Sequence, residues 1–266
     1  MKMPSVPESP ADDEVARRLR AMTRRGFAWG GASALAALAA WRWVATRPND
    51  QGVPWPLRRV LEFDERVHRA VFGPFKPAPA FPASASRTPR VNGRIGIDLG
   101  LNVDAWRLKV AGPGGSKSYT LAEVKALPRV EMTTELKCIE GWSVVVTWAG
   151  ARLTDLASAS GLATRSGRPI DLRDSPGDVM PFASAATPNA AYYVGLEADG
   201  AFHPQTLLCY EMNGRPLEPL HGAPLRLAVP IKYGIKSLKQ VGSIAFTEAR
   251  PIDYWAERGY DWFAGH

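Results

Sequence analysis

Two cysteines and four histidines are all that a chain of 266 residues offers of the commonest metal ligands, and both shortages exclude chemistry. Two thiols cannot staple a disulfide scaffold or fill a thiolate zinc site. His68, His203, His221 and His266 are scattered, which disfavours a centre built from imidazoles alone. There is no Gly-x-Ser-x-Gly elbow and no His-Glu-x-x-His pair, so the common serine hydrolases and zinc proteases drop out. No Gly-x-Gly-x-x-Gly follows a strand pattern, leaving a dinucleotide fold without support. Haem-attachment Cys-x-x-Cys-His and iron–sulfur cysteine sets are missing too, so any redox chemistry needs a separate electron carrier. No repeat of fixed period points to a solenoid or propeller.

The composition is that of a globular protein, with 45% hydrophobic and 22% charged residues. The net charge of +7 suggests nucleic acid, but its distribution does not. Residues 1–70 hold 12 Lys/Arg against 8 Asp/Glu, whereas residues 71–266 hold 21 against 18. The body is nearly neutral and no nucleic-acid partner is expected. The basic residues gather where targeting signals sit.

Thr23-Arg24-Arg25-Gly26-Phe27 precedes an uncharged run over 26–40. The string resembles a twin-arginine export signal, which implies export already folded around a cofactor. Fifteen residues suit a signal-peptide core better than a full span. Extended to Thr46, the segment becomes a marginal anchor, with the arginines before it placing the body in the periplasm. A buried apolar helix is the other reading of the run.

Residues 1–46 are therefore expected to be an export signal or anchor. Residues 47–90 read as a linker carrying an amphipathic helix over 57–72, followed by a proline-rich extended stretch with Pro74, Pro77, Pro79, Pro82 and Pro89. That helix suits a membrane, a partner or the main domain itself. Residues 91–250 read as an α+β domain of mixed sheets and short helices. Strands are expected at 106–110, 130–136, 144–148, 179–184, 205–212 and 225–229, and helices at 121–126 and 153–160. Residues 251–266 read as a C-terminal tail.

Two stretches carry candidate chemistry. Leu136-Lys137-Cys138-Ile139-Glu140-Gly141-Trp142-Ser143 puts a thiol beside a carboxylate at a strand end. A buried free thiol and a Cys138–Cys209 disulfide are the alternatives. His221-Gly222-Ala223-Pro224-Leu225-Arg226, continuing to Ser237-Leu238-Lys239, sets cations and a hydroxyl among glycines and prolines. Such a set suits a phosphate and a polar heterocycle; a solvated loop is the alternative.

Taken together, Cys138, Trp148-Ala149-Gly150, Asn213-Gly214 and His221 to Arg226 resemble the pattern of the sulfite oxidase family, over about Asn92 to Glu248. Within it, Cys138 to Ser143, His203-Pro204-Gln205-Thr206-Leu207 and Pro230-Ile231-Lys232-Tyr233-Gly234 are most similar to the periplasmic protein-methionine-sulfoxide reductase catalytic subunits. Ile231, Gly141 and His221 depart from that group, which has Trp, Ala and Asn there.

The resemblance implies a sulfite-oxidase-type molybdopterin-binding domain and a molybdenum-molybdopterin cofactor. Cys138 would ligate the metal, and Glu140 would stand beside it. Asn92, Ser184, His221, Arg226, Ser237 and Lys239 would bind the cofactor. Tyr192, Tyr193 and His203 are candidates for the substrate pocket. A membrane cytochrome b or soluble cytochrome c is implied as electron partner. The chain ends 18 residues past Glu248, leaving no room for the family's dimerising β-sandwich, so a monomeric catalytic subunit is expected. Sulfite oxidases carry an Arg five residues after the ligand Cys; here Ser143 stands there and Glu140 intervenes, which favours a neutral sulfoxide, small or protein-bound, over sulfite. Sulfite oxidation and a cofactor-free periplasmic scaffold are the alternatives.

Overall fold

The structure, a computed structural model, describes residues 10–73 and 76–266. The start of the expected export segment and Pro74 lie outside the described residues. The chain divides into two units: residues up to Asp50 with Pro54–Leu57, and Gln51–Val53 with Arg58–His266.

The first unit is dominated by helix α1 (Pro10–Ala45). Its uncharged stretch, residues 26–40, is roughly 22 Å long at 1.5 Å per residue, short of the ~30 Å hydrocarbon layer. Among the described residues no helix is long and apolar enough to cross a membrane. Two-residue strands β1 (Asn49–Asp50) and β2 (Val53–Pro54) lead into helix α2 (Trp55–Phe72).

The second unit carries two five-stranded sheets. Its elements run β3 (Leu108–Gly112), β4 (Gly115–Tyr119), α3 (Leu121–Lys125), β5 (Arg129–Lys137), β6 (Ser143–Arg152), α4 (Leu153–Ser160), β7 (Phe182–Ala186), β8 (Tyr193–Glu197), α5 (Ala198–Ala201), β9 (Leu207–Met212), β10 (Arg215–Pro216), β11 (Arg226–Ala228) and β12 (Ser243–Thr247). One sheet is antiparallel: β5 pairs β6, β6 pairs β9, and β10 and β11 share the far side of β9. The other has the order β4-β3-β12-β7-β8 and is mixed, since β12 lies parallel to β3. The expected α+β class is what the chain adopts.

Period-2 alternation buries both faces of β9. Leu208 and Tyr210 enter the main core with Leu156, Leu225 and Phe246, while Leu207 and Cys209 enter a smaller one with Val146 and Trp148. Cys209 is fully buried, its thiol pushed up to about 12 by desolvation. Cys138 and Cys209 are both free, so the disulfide alternative falls away.

The Trp148-Ala149-Gly150 motif has a local cause. Trp148 and Ala149 face Met212 and Glu211, but Gly150 faces Cys209, so β9 bulges by one residue here. A Cβ on Gly150 would lie 2.0 Å from the Leu208 carbonyl oxygen. Gly150→Ala is expected to cost about 3 kcal/mol or more, the upper end of overpacking, read as a lowered denaturation midpoint. Asn213 and Gly214, with φ of +52° and +73°, close the tight turn between β9 and β10.

Two expectations about chain organisation differ from the structure. The proline-rich stretch is extended but not free. The Ala78 and Phe81 amides bond to Gln205 Oε1 and Thr133 O, and the Arg87 amide bonds to Val145 O. Prolines lack an N–H, so the residues between them supply the donors that fix this strap on β5 and β6. The C-terminal residues are likewise packed, not a tail. Trp262 is buried, and the Asp253 carboxylate meets Lys236 Nζ at 2.6 Å in a fully enclosed pair. The Tyr254 amide bonds to Tyr193 O, covering the β8 edge.

Candidate active site

β5 ends at Lys137 and the chain turns at once. The Cys138 amide donates to Trp142 O at 2.9 Å, and the Gly141 amide to Cys138 O at 3.1 Å. Gly141 has φ of +85°, the left-handed region, which accounts for glycine where the related group has alanine. The turn presents Cys138 half-exposed to a cavity of about 270 Å³ and, on its other side, to an open groove that Trp142 and Tyr233 also line.

Asn92 Nδ2 donates to Cys138 Sγ at 3.5 Å. Lys239 Nζ donates to the Asn92 and Gly93 carbonyls at 3.0 and 3.2 Å, pinning that segment across the cavity. Lys239 can approach because residue 222 is glycine, with φ of +103°. A Cβ there would come within 2.8 Å of Gln240 N and Lys239 Cβ.

Arg226 projects from β11 into the same cavity. Its guanidinium stacks 4.5 Å from the Trp148 ring centroid and donates to His221 O at 3.0 Å and Ser237 O at 3.4 Å. It is buried, Nε has no partner, and no carboxylate pairs with it among the described residues. Burial lowers it to about 10. Burial first, then Arg226 and Lys239, lower His221, whose imidazole is neutral at pH 7.

Burial and then Arg226 lower Lys239 from its ordinary 10.5 to about 8. Between those values the unfolded chain holds a proton that the folded chain has released, so stability rises with pH across that window. Lys232, also lowered to about 8 chiefly by burial, adds to the slope. The melting temperature of cofactor-free protein is therefore expected to climb above pH 8, and less steeply in Lys239→Gln. A bound anion restores the ordinary lysine value and removes that share.

Of the residues singled out from sequence, Asn92, Cys138, Glu140, Tyr192, His221, Arg226, Ser237 and Lys239 line this one cavity. Glu140 accepts from Trp142 Nε1 at 3.1 Å, not from an Arg or Lys. Tyr192 OH donates to Ile235 O at 2.6 Å and accepts from Trp255 Nε1, fixing the loop before Ser237. Burial raises its phenol, which stays protonated.

Ser184, Tyr193 and His203 are not brought there. Ser184 sits in the middle of β7, paired with Gly195 and Ala245, and is no strand-end hydroxyl. Tyr193 bonds Glu257, and the alternation of β8 turns it away from Tyr192. His203 is buried, its Nδ1 accepting from the Gln205 amide. Its motif serves the strap, because Gln205 holds Ala78 through both backbone groups.

Sequence reasoning missed Arg90 and Trp255, which also line the cavity. Arg90 stands 5.3 Å from the Trp142 ring centroid.

The molybdopterin implied by the resemblance fits these residues. A buried guanidinium with a spare donor and no acidic partner, beside a lysine and a serine, matches an anionic, phosphate-bearing heterocycle. Among the described residues no group of three or more His, Cys, Asp or Glu could hold a metal. The one soft donor at the cavity, Cys138, suits a metal carried in by an organic ligand.

Comparison with known proteins agrees. Residues 95–255 match the model of the oxidoreductase molybdopterin binding domain. A protein of Azospira oryzae named as the protein-methionine-sulfoxide reductase subunit YedZ1 is 31% identical over 250 residues, covering 92% of this chain and 87% of that protein. The protein-methionine-sulfoxide reductase catalytic subunit MsrP of Xanthomonas campestris is 36% identical over 160 residues, 58% of this chain; the match spans about half, 49%, of that relative. The sulfane dehydrogenase SoxCD of Paracoccus pantotrophus superposes with a TM-score of 0.47 at 19% identity, over 57% of this chain and 40% of that one. The domain match and the relatedness along most of its length show that the chain belongs to the family of molybdopterin-binding oxidoreductases.

Proposed function

We propose that this oxidoreductase works outside the cytoplasm, reducing a neutral S- or N-oxide, with methionine sulfoxide, free or protein-bound, the first candidate. The observation that supports this most is the charge around Cys138. Glu140, two residues from Cys138, is the carboxylate lining the cavity; with Arg226 and Lys239 taken up by the cofactor's anionic end, a negative charge there disfavours a small dianion relative to a neutral sulfoxide. The relatives' names point the same way. The cofactor, when bound, supplies the two-electron, oxygen-accepting chemistry. Arg226, Lys239 and Ser237 would hold its anionic end, and Asn92 orients the Cys138 sulfur. Electrons come from a separate haem protein, a membrane cytochrome b or a soluble cytochrome c. The Thr23–Phe27 string supports export through the twin-arginine machinery.

Sulfite oxidation, with electrons passed to a cytochrome, is the second reading. Arg90 favours it, because its guanidinium lines the same cavity as Cys138. Steady-state assays of purified holoprotein separate the two. Turnover of methionine sulfoxide well above sulfite oxidation is expected. Efficient sulfite oxidation that is lost in Arg90→Gln, with no sulfoxide turnover, would replace the first reading by the second.

A further inference from the structure

Helix α2 is built inside out. Four of its charged residues, Arg58, Glu62, Glu65 and Arg69, face the protein: Arg58 is 2% exposed and Glu65 9%. Arg58 donates to Ala256 O at 3.0 Å and Tyr260 O at 3.1 Å, Glu65 meets Arg250 at 2.6 Å, and Arg69 meets Asp199 at 2.5 Å. The residues that alternate with them at helical spacing are apolar and uncovered. Val60, Phe63, Val67 and Val71 are 56%, 56%, 45% and 69% exposed and form one stripe along the helix. Packing against the domain thus uses the polar face and leaves the apolar face to water, the reverse of an ordinary surface helix.

We propose that this stripe lies on a lipid surface, as an interfacial helix with its axis in the plane of the membrane. Two observations favour lipid over a protein partner. Arg66 stands exposed on one flank of the stripe, 5.9 Å from the Phe63 ring centroid, and Arg59 stands on the same flank, exposed though paired with Glu62 at 2.6 Å; long basic side chains there reach lipid phosphates while their stems stay in the apolar layer. The stripe runs unbroken over about three helical turns with a charge on each flank, the exposed Asp64 on the side away from Arg66, which is the pattern of a helix lying in an interface. The inference concerns where the enzyme sits, and its failure leaves the proposed reaction untouched.

Flotation of the full-length holoprotein with vesicles of phosphatidylcholine and about one-third phosphatidylglycerol tests it. Wild-type protein is expected to float with the vesicles. The variant Val60→Gln/Phe63→Gln/Val67→Gln keeps helix-forming residues on an exposed face, and its lipid partitioning is expected to fall about tenfold or more. Arg59→Glu/Arg66→Glu is expected to lose binding to these vesicles but not the weaker binding to pure phosphatidylcholine. Turnover in solution and melting temperature serve as the fold control for each variant. Wild-type protein that stays unbound, or a triple variant that floats equally well, would overturn the proposal. So would a wild-type dimer that the triple variant converts to monomer without lipid, which would give the stripe to a second copy of the chain.

Discussion

Cys138→Ser is expected to abolish molybdenum-dependent turnover and to leave the fold standing. The thiol is half-exposed in a turn closed by backbone hydrogen bonds, and its sulfur accepts from Asn92 Nδ2. Exchanging sulfur for oxygen there disturbs little packing, so stability should move by no more than about 0.5 kcal/mol, as for an ordinary surface substitution. The chemistry is another matter. A thiolate is a soft donor and an alkoxide a hard one, and coordination sets the electronics of the metal. Outer contacts of a metal ligand are worth ~10–100-fold in activity or affinity, and removing the ligand itself should exceed that. Turnover, metal content and melting temperature measured on one preparation check the expectation. A Ser variant that is loaded and fully active would remove Cys138 from the ligand role.

Arg226→Met should uncouple cofactor retention from folding. In the cofactor-free chain this guanidinium is a buried charge without a carboxylate partner. Its fall to about 10 corresponds to roughly 3 kcal/mol held against the charged form. Methionine removes that burden and keeps contact with the Trp148 ring, while the His221 and Ser237 carbonyls lose a donor at about 1–3 kcal/mol. These terms offset, and the cofactor-free variant should stay within about 2 kcal/mol of wild type. Binding of the anionic cofactor has no such offset. Charge-assisted hydrogen bonds are worth about 1.5–3 kcal/mol, so pterin content after purification should fall ~10-fold or more. A variant that unfolds, or one that loads normally, would each contradict the account of Arg226 as the cofactor's counter-charge.

Sequence carried the Cys138 and Arg226 walls of the cavity further than their surroundings. Cys138, His221, Arg226 and Lys239 are legible because they stand in short motifs with glycines and prolines at fixed offsets, and those offsets prove to be geometric. Gly150 makes room for a bulge, and Gly222 lets the Lys239 loop close in. Arg90 was illegible for the opposite reason. It follows five prolines spread over 74–89, a composition that reads as linker, and nothing local announces the hydrogen bonds that hold the strap. Trp255 was hidden in what reads as a tail. Ser184 was misplaced because the strand it was thought to end begins at Phe182 and runs on to Ala186. The short strands β4, β8 and β12 carried no signal of their own. β4 reads Gly-Ser-Lys-Ser-Tyr, an exposed edge whose pairing is decided by β3.

The strap that crosses β5 and β6 before reaching Asn92 also constrains the order of assembly. Walls of the cavity come from residues 89–95, 136–142, 192, 221–239 and 255, so no contiguous stretch forms a receptor by itself. The cofactor's lodging exists only once distant parts of the chain have met. The strap, tied through Ala78, Phe81 and Arg87, delivers the wall formed by residues 89–95. Loosening the strap is therefore expected to shorten the lifetime of the loaded state without touching any contact to the cofactor. Weakening Gln205, which touches neither metal nor pterin, should show as faster release with unchanged turnover per loaded molecule.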